Sequence, residues 1–170
     1  AGKGKYFQDY KKSKGNIKGL EHRIGGLETE DVSGDVSYDP DNHEHMVHLR
    51  NKKIEAVLST VPDIVPFGDT SGDTLVIGWG STYGAIRTAV EKAREEGRSV
   101  SHIQLRYVNP LPKNLGDLLL KYKRVIVPEL NLGQLNSILR SKYLIDSIGL
   151  NKVQGKPITV GEIYNKIIEE

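Results

Sequence analysis

Residues 74–96, TLVIGWGSTYGAIRTAVEKAREE, decide the fold of this chain. Residues 74–77 form a short apolar run rich in β-branched side chains, with Gly72-Asp73 before it and Gly78 after it. A run of that kind reads as a parallel strand buried on both faces. Gly78-Trp79-Gly80 breaks it, and Ser81 or Thr82 is placed to cap a helix by accepting a hydrogen bond from a free backbone N–H one turn on. Ala85, Ile86, Ala89, Val90 and Ala93 then recur at helical spacing, so one face of that helix packs on the sheet. Strand, glycine turn and capped helix open a βαβ unit.

The unit repeats downstream. Residues 100–107 (VSHIQLRY) read as a second strand, stopped by Asn109-Pro110-Leu111-Pro112. Asn114 is placed to cap a helix carrying Leu115, Leu118, Leu119 and Tyr122, with Asp117 favourably in its first turn. Residues 124–128 (RVIVP) are a third strand, turned by Leu130-Asn131-Leu132-Gly133 into a helix marked by Leu135, Ile138 and Leu139. A last strand is expected at residues 150–153. Thr159 then caps a final helix with Val160, Ile163, Tyr164 and Ile167 on one face. This alternation calls for a three-layer α/β/α domain with a parallel sheet and helices on both faces. Residues 64–68 (IVPFG) are read as a short edge strand, because Pro66 cannot donate to a central ladder. The sheet then has about five strands.

Upstream, Asp39 is a plausible N-cap and Pro40 suits the first helical position. Met46, Leu49, Ile54, Val57, Leu58 and Val61 make an apolar stripe as far as the break at Pro62. Residues 1–38 are polar and glycine-rich, with a basic run of Lys3, Lys5, Lys11, Lys12, Lys14 and Lys18, and read as a solvated linker. The expected organisation is a linker or extension over 1–38, a helical connector over 39–63 and an α/β domain over 64–170.

Composition narrows the function classes. Lys+Arg 24 against Asp+Glu 22 leaves a net charge of +2, too small to argue for nucleic acid. No apolar run is long enough to span a membrane, and the first residues lack the apolar core of a signal peptide. With no cysteine, the chain has no disulfide and no cysteine-ligated zinc or iron–sulfur cluster. A cytoplasmic protein is expected. The chain starts at Ala1 and its single methionine is Met46, so it is expected to be a fragment of a longer polypeptide.

Three groups of residues invite a functional reading. The loop from Gly78 to Gly84 offers bare N–H groups at a helix N-terminus, where phosphate binds. Its third glycine comes one residue late for G-x-G-x-x-G, and Arg106 rather than an acid ends the second strand, which leaves only an NADP-like or phosphate-binding alternative. His43, His45 and His48 form H-x-H-x-x-H, a second alternative as a metal-binding protein; His45 and His48 share a helix face and His43 does not. Ser81, Thr82, Asn109, Glu129, Asn131 and Gln134, together with Gly80, gather at the carboxyl edge of the sheet, where open α/β domains bind ligands or partners. That edge is read as an interface or anion site, with Glu129→Ala and Gln134→Ala expected to spare the chain's own melting and weaken assembly. No G-x-S-x-G elbow is present.

Several blocks resemble one family: G-L-E-H-R-I-G-G at 19–26, Y-D-P-D-N-H at 38–43, M-V-H-L-R-N-K-K-I at 46–54, G-W-G-S-T-Y-G at 78–84, R-Y-V-N-P-L-P at 106–112, V-P-E-L-N-L-G-Q-L at 127–135 and N-K-V-Q-G at 151–155. They are similar to the C-terminal region of the alpha subunit of 2-oxoacid:ferredoxin oxidoreductases, closest to the 2-oxoglutarate type. The resemblance implies a domain like the transketolase C-terminal domain, with a mostly parallel sheet of about five strands and one antiparallel edge strand. It implies a holoenzyme that oxidatively decarboxylates a 2-oxoacid to an acyl-CoA with thiamine diphosphate and magnesium, and reduces ferredoxin through an iron–sulfur cluster. It implies as partners an upstream thiamine-contacting domain, a beta subunit and ferredoxin, in an oligomer. No catalytic, cofactor-binding or metal-binding residue is carried onto this chain, which alone is expected to be inactive. Glu21-His22 follows the thiamine-contacting domain in the family and is placed near the active site by that resemblance alone.

Overall fold

The computed structural model describes residues 27–169. The basic run and Glu21-His22 lie outside the described residues. The chain divides into two units, Ala1–Lys53 and Ile54–Glu170. That division falls inside a helix.

In the first unit, residues 27–38 are not a bare linker. Thr29 and Val36 form an antiparallel bridge, and Glu30 N donates to Asp35 O at 2.8 Å. Helix α1 (Pro40–Val57) begins where the sequence predicts, with Asp39 Oδ1 accepting from Asp41 N at 2.9 Å. Glu28 ties the hairpin to this helix. Both Arg50 Nη groups donate to its carboxylate at 2.9 Å, and His43 Nδ1 lies 2.8 Å away. The Arg50 hydrogen bonds, then His43, hold the Glu28 carboxyl down to about 2.

The second unit is built on four parallel strands: β1 (Gly72–Trp79), β2 (Val100–Leu105), β3 (Tyr122–Glu129) and β4 (Ile148–Asn151), in the order β2-β1-β3-β4. Thr74 pairs with Val100 on one side and Arg124 on the other, and Ile126 with Ile148. Helices α2 (Tyr83–Glu95), α3 (Leu115–Leu119), α4 (Gln134–Tyr143) and α5 (Val160–Ile168) make the crossovers and the final layer.

Strand alternation sorts the core into two layers. Leu75, Ile77, Ile103, Val125 and Val127 pack against Leu115, Leu119, Leu135 and Leu139 of α3 and α4. Val76, Val100 and Ile126 pack against Ile86, Ala89 and Val90 of α2 and Ile163 and Ile167 of α5. Each fully buried Leu, Ile or Val is worth about 1.5–3 kcal/mol of transfer free energy, so both layers are needed to hold the sheet. Thr159 caps α5 as its sequence predicts: its Oγ1 accepts from Glu162 N at 3.2 Å, while its own N donates to Glu162 Oε2 at 2.7 Å. At the other end Arg124 reaches from β3 to the free carbonyls of the last turn, donating to Lys166 O at 2.8 Å and Ile167 O at 3.2 Å.

The expected edge strand at 64–68 shrinks to one antiparallel bridge, in which Phe67 and His102 exchange hydrogen bonds of 2.8 and 2.9 Å. Pro66 has no N–H to extend it, and Gly68 at φ 102 turns the chain away. Asn114 does not cap α3. Its side chain accepts from Ile64 N at 2.9 Å and donates to Ile64 O at 2.8 Å, replacing a strand partner for this segment. Tyr122, expected on that helix, opens β3 and donates its hydroxyl to Asp69 O at 2.5 Å.

Candidate functional site

Parallel strands that all point one way deliver their following loops to one edge. Here that edge carries the residues after Trp79, Leu105, Glu129 and Asn151. Three open clefts of about 490, 310 and 350 Å³ run along it. The first two share Gly80, and the second and third share Ser81 and Leu130, so they form one furrow.

Of the residues expected there, Gly80, Ser81, Thr82, Asn131 and Gln134 line the middle cleft, beside Trp79 and Leu130. Asn109 is exposed on its loop and does not line that cleft. Ser81 and Thr82 do not cap α2. The chain passes through a 3-10 turn, Gly80–Thr82, and Thr82 Oγ1 donates back to Trp79 O at 2.9 Å.

Glu129 departs furthest from its expected role. It is 0% exposed, so it is not a surface residue of the edge. Its Oε1 accepts from Trp79 Nε1 at 3.2 Å, Asn131 Nδ2 at 3.1 Å and Leu135 N at 2.9 Å, and its Oε2 accepts from Asn136 N at 3.0 Å. Leu135 and Asn136 lie in the first turn of α4, so the carboxylate both occupies free helix N–H groups and opposes the positive end of the helix dipole. Asn131 Oδ1 completes the turn by accepting from Gly133 N at 2.7 Å and Gln134 N at 2.9 Å. Gly133 sits at φ 94, a left-handed value that glycine adopts without penalty. The residue that the sequence reading overlooked here is Trp79, whose indole joins β1 to this cap.

The Gly78–Gly84 loop owes its first glycine to packing. A Cβ at Gly78 would lie 2.4 Å from Ile86 Cδ1 and 2.9 Å from Thr82 Oγ1. Gly78→Ala is expected to cost about 1–3 kcal/mol, the price of overfilling a packed core, measurable as a shift of the denaturant midpoint without a change of slope. A midpoint equal to wild type would place the requirement for glycine elsewhere, in an approaching ligand.

The rest of the furrow is basic and apolar. Arg106 lines the first cleft, and Lys152, Val153 and Lys156 line the third. Lys152 donates to both carboxylate oxygens of Glu162, at 2.8 and 2.9 Å, and this contact is the largest of those holding the Glu162 carboxyl down to about 2. The three histidines of α1 do not converge. His43 pairs with Glu28 at 2.8 Å, His45 with Asp31 at 3.1 Å and His48 with Glu44 at 3.7 Å. Among the described residues no three His, Asp or Glu side chains gather to hold a metal ion.

Comparison with known proteins gives a consistent result. The sequence model of the pyruvate:ferredoxin oxidoreductase core domain II family matches residues 72–163. Over 147 residues the chain is 52% identical to the 2-oxoglutarate oxidoreductase subunit KorA of Mycobacterium tuberculosis, covering 85% of this chain and 22% of that protein. It is 32% identical over 120 residues to the 2-oxoglutarate synthase subunit KorA of Methanocaldococcus jannaschii, covering 69% and 31% of the two chains. The solved 2-oxoglutarate:ferredoxin oxidoreductase from Magnetococcus marinus, with 2-oxoglutarate, coenzyme A and succinyl-CoA bound, superposes with a TM-score of 0.75 at 31% identity, over 89% of this chain and 27% of that one. The chain thus spans between 22% and 31% of the length of these relatives.

Proposed function

The chain belongs to the pyruvate:ferredoxin oxidoreductase core domain II family, and on that premise we propose that it is a structural and assembly domain of the alpha subunit of a 2-oxoglutarate:ferredoxin oxidoreductase. The whole enzyme, in this reading, oxidatively decarboxylates a 2-oxoacid to an acyl-CoA and passes the electrons to ferredoxin. It works in the cytoplasm as an oligomer with a beta subunit and an upstream thiamine-contacting domain. Among the described residues no helix is long and apolar enough to cross a membrane.

One observation carries the structural rather than catalytic role. The buried carboxylate at the ligand edge of the sheet is fully engaged by four donors within its own fold. Oε1 takes three of these donors and Oε2 one, and with the residue 0% exposed the carboxylate presents no open face to a cofactor or substrate. The residues present also do not fit the groups that the family implies. No cysteine is available for an iron–sulfur cluster, and no acidic or histidine group among the described residues is arranged for magnesium. Thiamine diphosphate, magnesium and the cluster therefore belong, in this proposal, to other parts of the enzyme.

The isolated chain is expected to give no heat with thiamine diphosphate and magnesium in a calorimetric titration, and no turnover of 2-oxoglutarate. The full-length alpha subunit joined to its beta subunit is expected to reduce ferredoxin when given 2-oxoglutarate and coenzyme A. Micromolar cofactor binding by the isolated chain would overturn the assembly role.

A further inference from the structure

The two edges of the sheet differ in charge. At the amino edge both signs occur and pair: Arg94 with Asp69 and Lys123 with Asp73, each at 2.8 Å, and Arg140 with Asp146. At the carboxyl edge, residues 79–83, 106–114, 130–133 and 152–159 contain no Asp or Glu. Three carboxylates border these loops: Glu129 is sealed beneath the surface, Glu162 is held by Lys152, and Asp117 lies in the first turn of α3. Arg106 and Lys156 are exposed and have no hydrogen-bonding or ionic partner among the described residues. Beside them stand apolar side chains in water: Leu132 is 84% exposed, Val153 63% and Leu130 41%.

Like charges without counter-charges raise the local potential and draw an acidic surface. Leucines and valine exposed around a furrow are the composition of a surface that is covered in the working protein. A small anion would satisfy the cations and leave Leu130, Leu132 and Val153 wet. A second copy meeting face to face would set Arg106 and Lys156 against their own kind. What fits both features is a polypeptide surface with carboxylates beside apolar side chains. The relatives of this chain are named as subunits of oxidoreductases, so each works beside at least one separate chain.

Resting on the assembly role above, we propose that the carboxyl-edge furrow docks a separate subunit of the enzyme, through a partner surface that presents carboxylates around an apolar centre. Arg106 and Lys156 steer the encounter, and Leu130, Leu132 and Val153 hold the contact.

The test uses the full-length alpha subunit and its beta subunit, with association followed at low and high salt. The double variant Arg106→Glu and Lys156→Glu is expected to slow association roughly tenfold at low salt and to flatten its salt dependence. Leu132→Ser is expected to speed dissociation with little effect on the association rate. Neither variant should change the melting of the alpha subunit alone. Wild-type rates in both variants overturn the proposal. So does a lowered melting point of the lone alpha subunit, which assigns the furrow to another part of the same chain. So does loss of inorganic phosphate binding with subunit association intact, which assigns it to a small anion. If wild-type subunits associate but fail to reduce ferredoxin with 2-oxoglutarate, the enzymatic reading fails and the docking surface stands.

Discussion

Glu129→Ala will destabilise the chain by roughly 3–5 kcal/mol, the scale expected when buried charge-assisted hydrogen bonds lose their acceptor. The substitution strips four donors at once: the Trp79 indole, the Asn131 amide, and the backbone N–H groups of Leu135 and Asn136. Two of these are free N–H groups of α4, which then have neither a cap nor a compensating charge. The loss also removes the side-chain tie between the ends of β1 and β3, because Trp79 ends one strand and Glu129 the other. Glu129→Gln should fall between, since it keeps one acceptor but turns an NH₂ toward donors. Gln134→Ala is the control: that side chain is exposed on the rim, and its removal should leave the midpoint nearly unchanged. Urea titrations of the three variants decide the matter. A wild-type midpoint for Glu129→Ala would mean that water replaces the carboxylate at no cost, and that the residue is free for a partner after all.

The inward aim of Glu129 was legible in principle. Val125 and Val127 face α3 and α4, and a strand repeats every second residue, so residue 129 points the same way. The turn chemistry around it drew attention to the edge and away from that parity. The same alternation places Val100, His102 and Gln104 on the opposite face of β2, with α2 above them, which explains why a histidine in an unremarkable strand pattern is buried. The first three strands, their order of appearance and the caps at Asp39 and Thr159 were readable because local pattern and tertiary packing agree there, whereas the last strand runs over Ile148–Asn151 rather than 150–153. The edge strand was not, because one proline and one left-handed glycine reduce it to a bridge that Asn114 then supports from a distant loop. Nor was the sealing of one carboxylate amid exposed cations, since exposure depends on which loops meet. The sequence motifs place the family; the charge asymmetry of the two sheet edges needs the three-dimensional arrangement.

Acidification from pH 6.5 to 4 will remove about 3 kcal/mol of stability through His102 alone. The ring is 2% exposed, its Nε2 has no hydrogen-bond partner among the described residues, and Tyr83 lies over it with ring centroids 5.6 Å apart. Burial brings its pKa down from 6.5 to about 4, opposed in part by the Gln104 side chain and helped least by the positive charge of Arg87. The sign follows from which state holds the proton. Above pH 6.5 both states are neutral at this residue and its packing contributes fully. Between 6.5 and 4 the unfolded chain takes up the proton and the folded chain does not, so stability falls with pH. Below 4 both are protonated and the loss is complete. The gap between 6.5 and about 4, at about 1.36 kcal/mol per pH unit, sets the size. Glu28 and Glu162, both held at about 2, lose their contributions mainly below their ordinary value of 4.5, outside most of the window of His102. His102→Leu should flatten the fall in stability over that window. The loss should also appear first at the sheet edge, because the backbone of His102 is what pairs with Phe67. Hydrogen exchange at pH 5 is therefore expected to release the Phe67 and His102 amides before those of β1 and β3. Equal pH slopes in wild type and His102→Leu would show that the ring accepts its proton in place, with room and solvent enough to hold it.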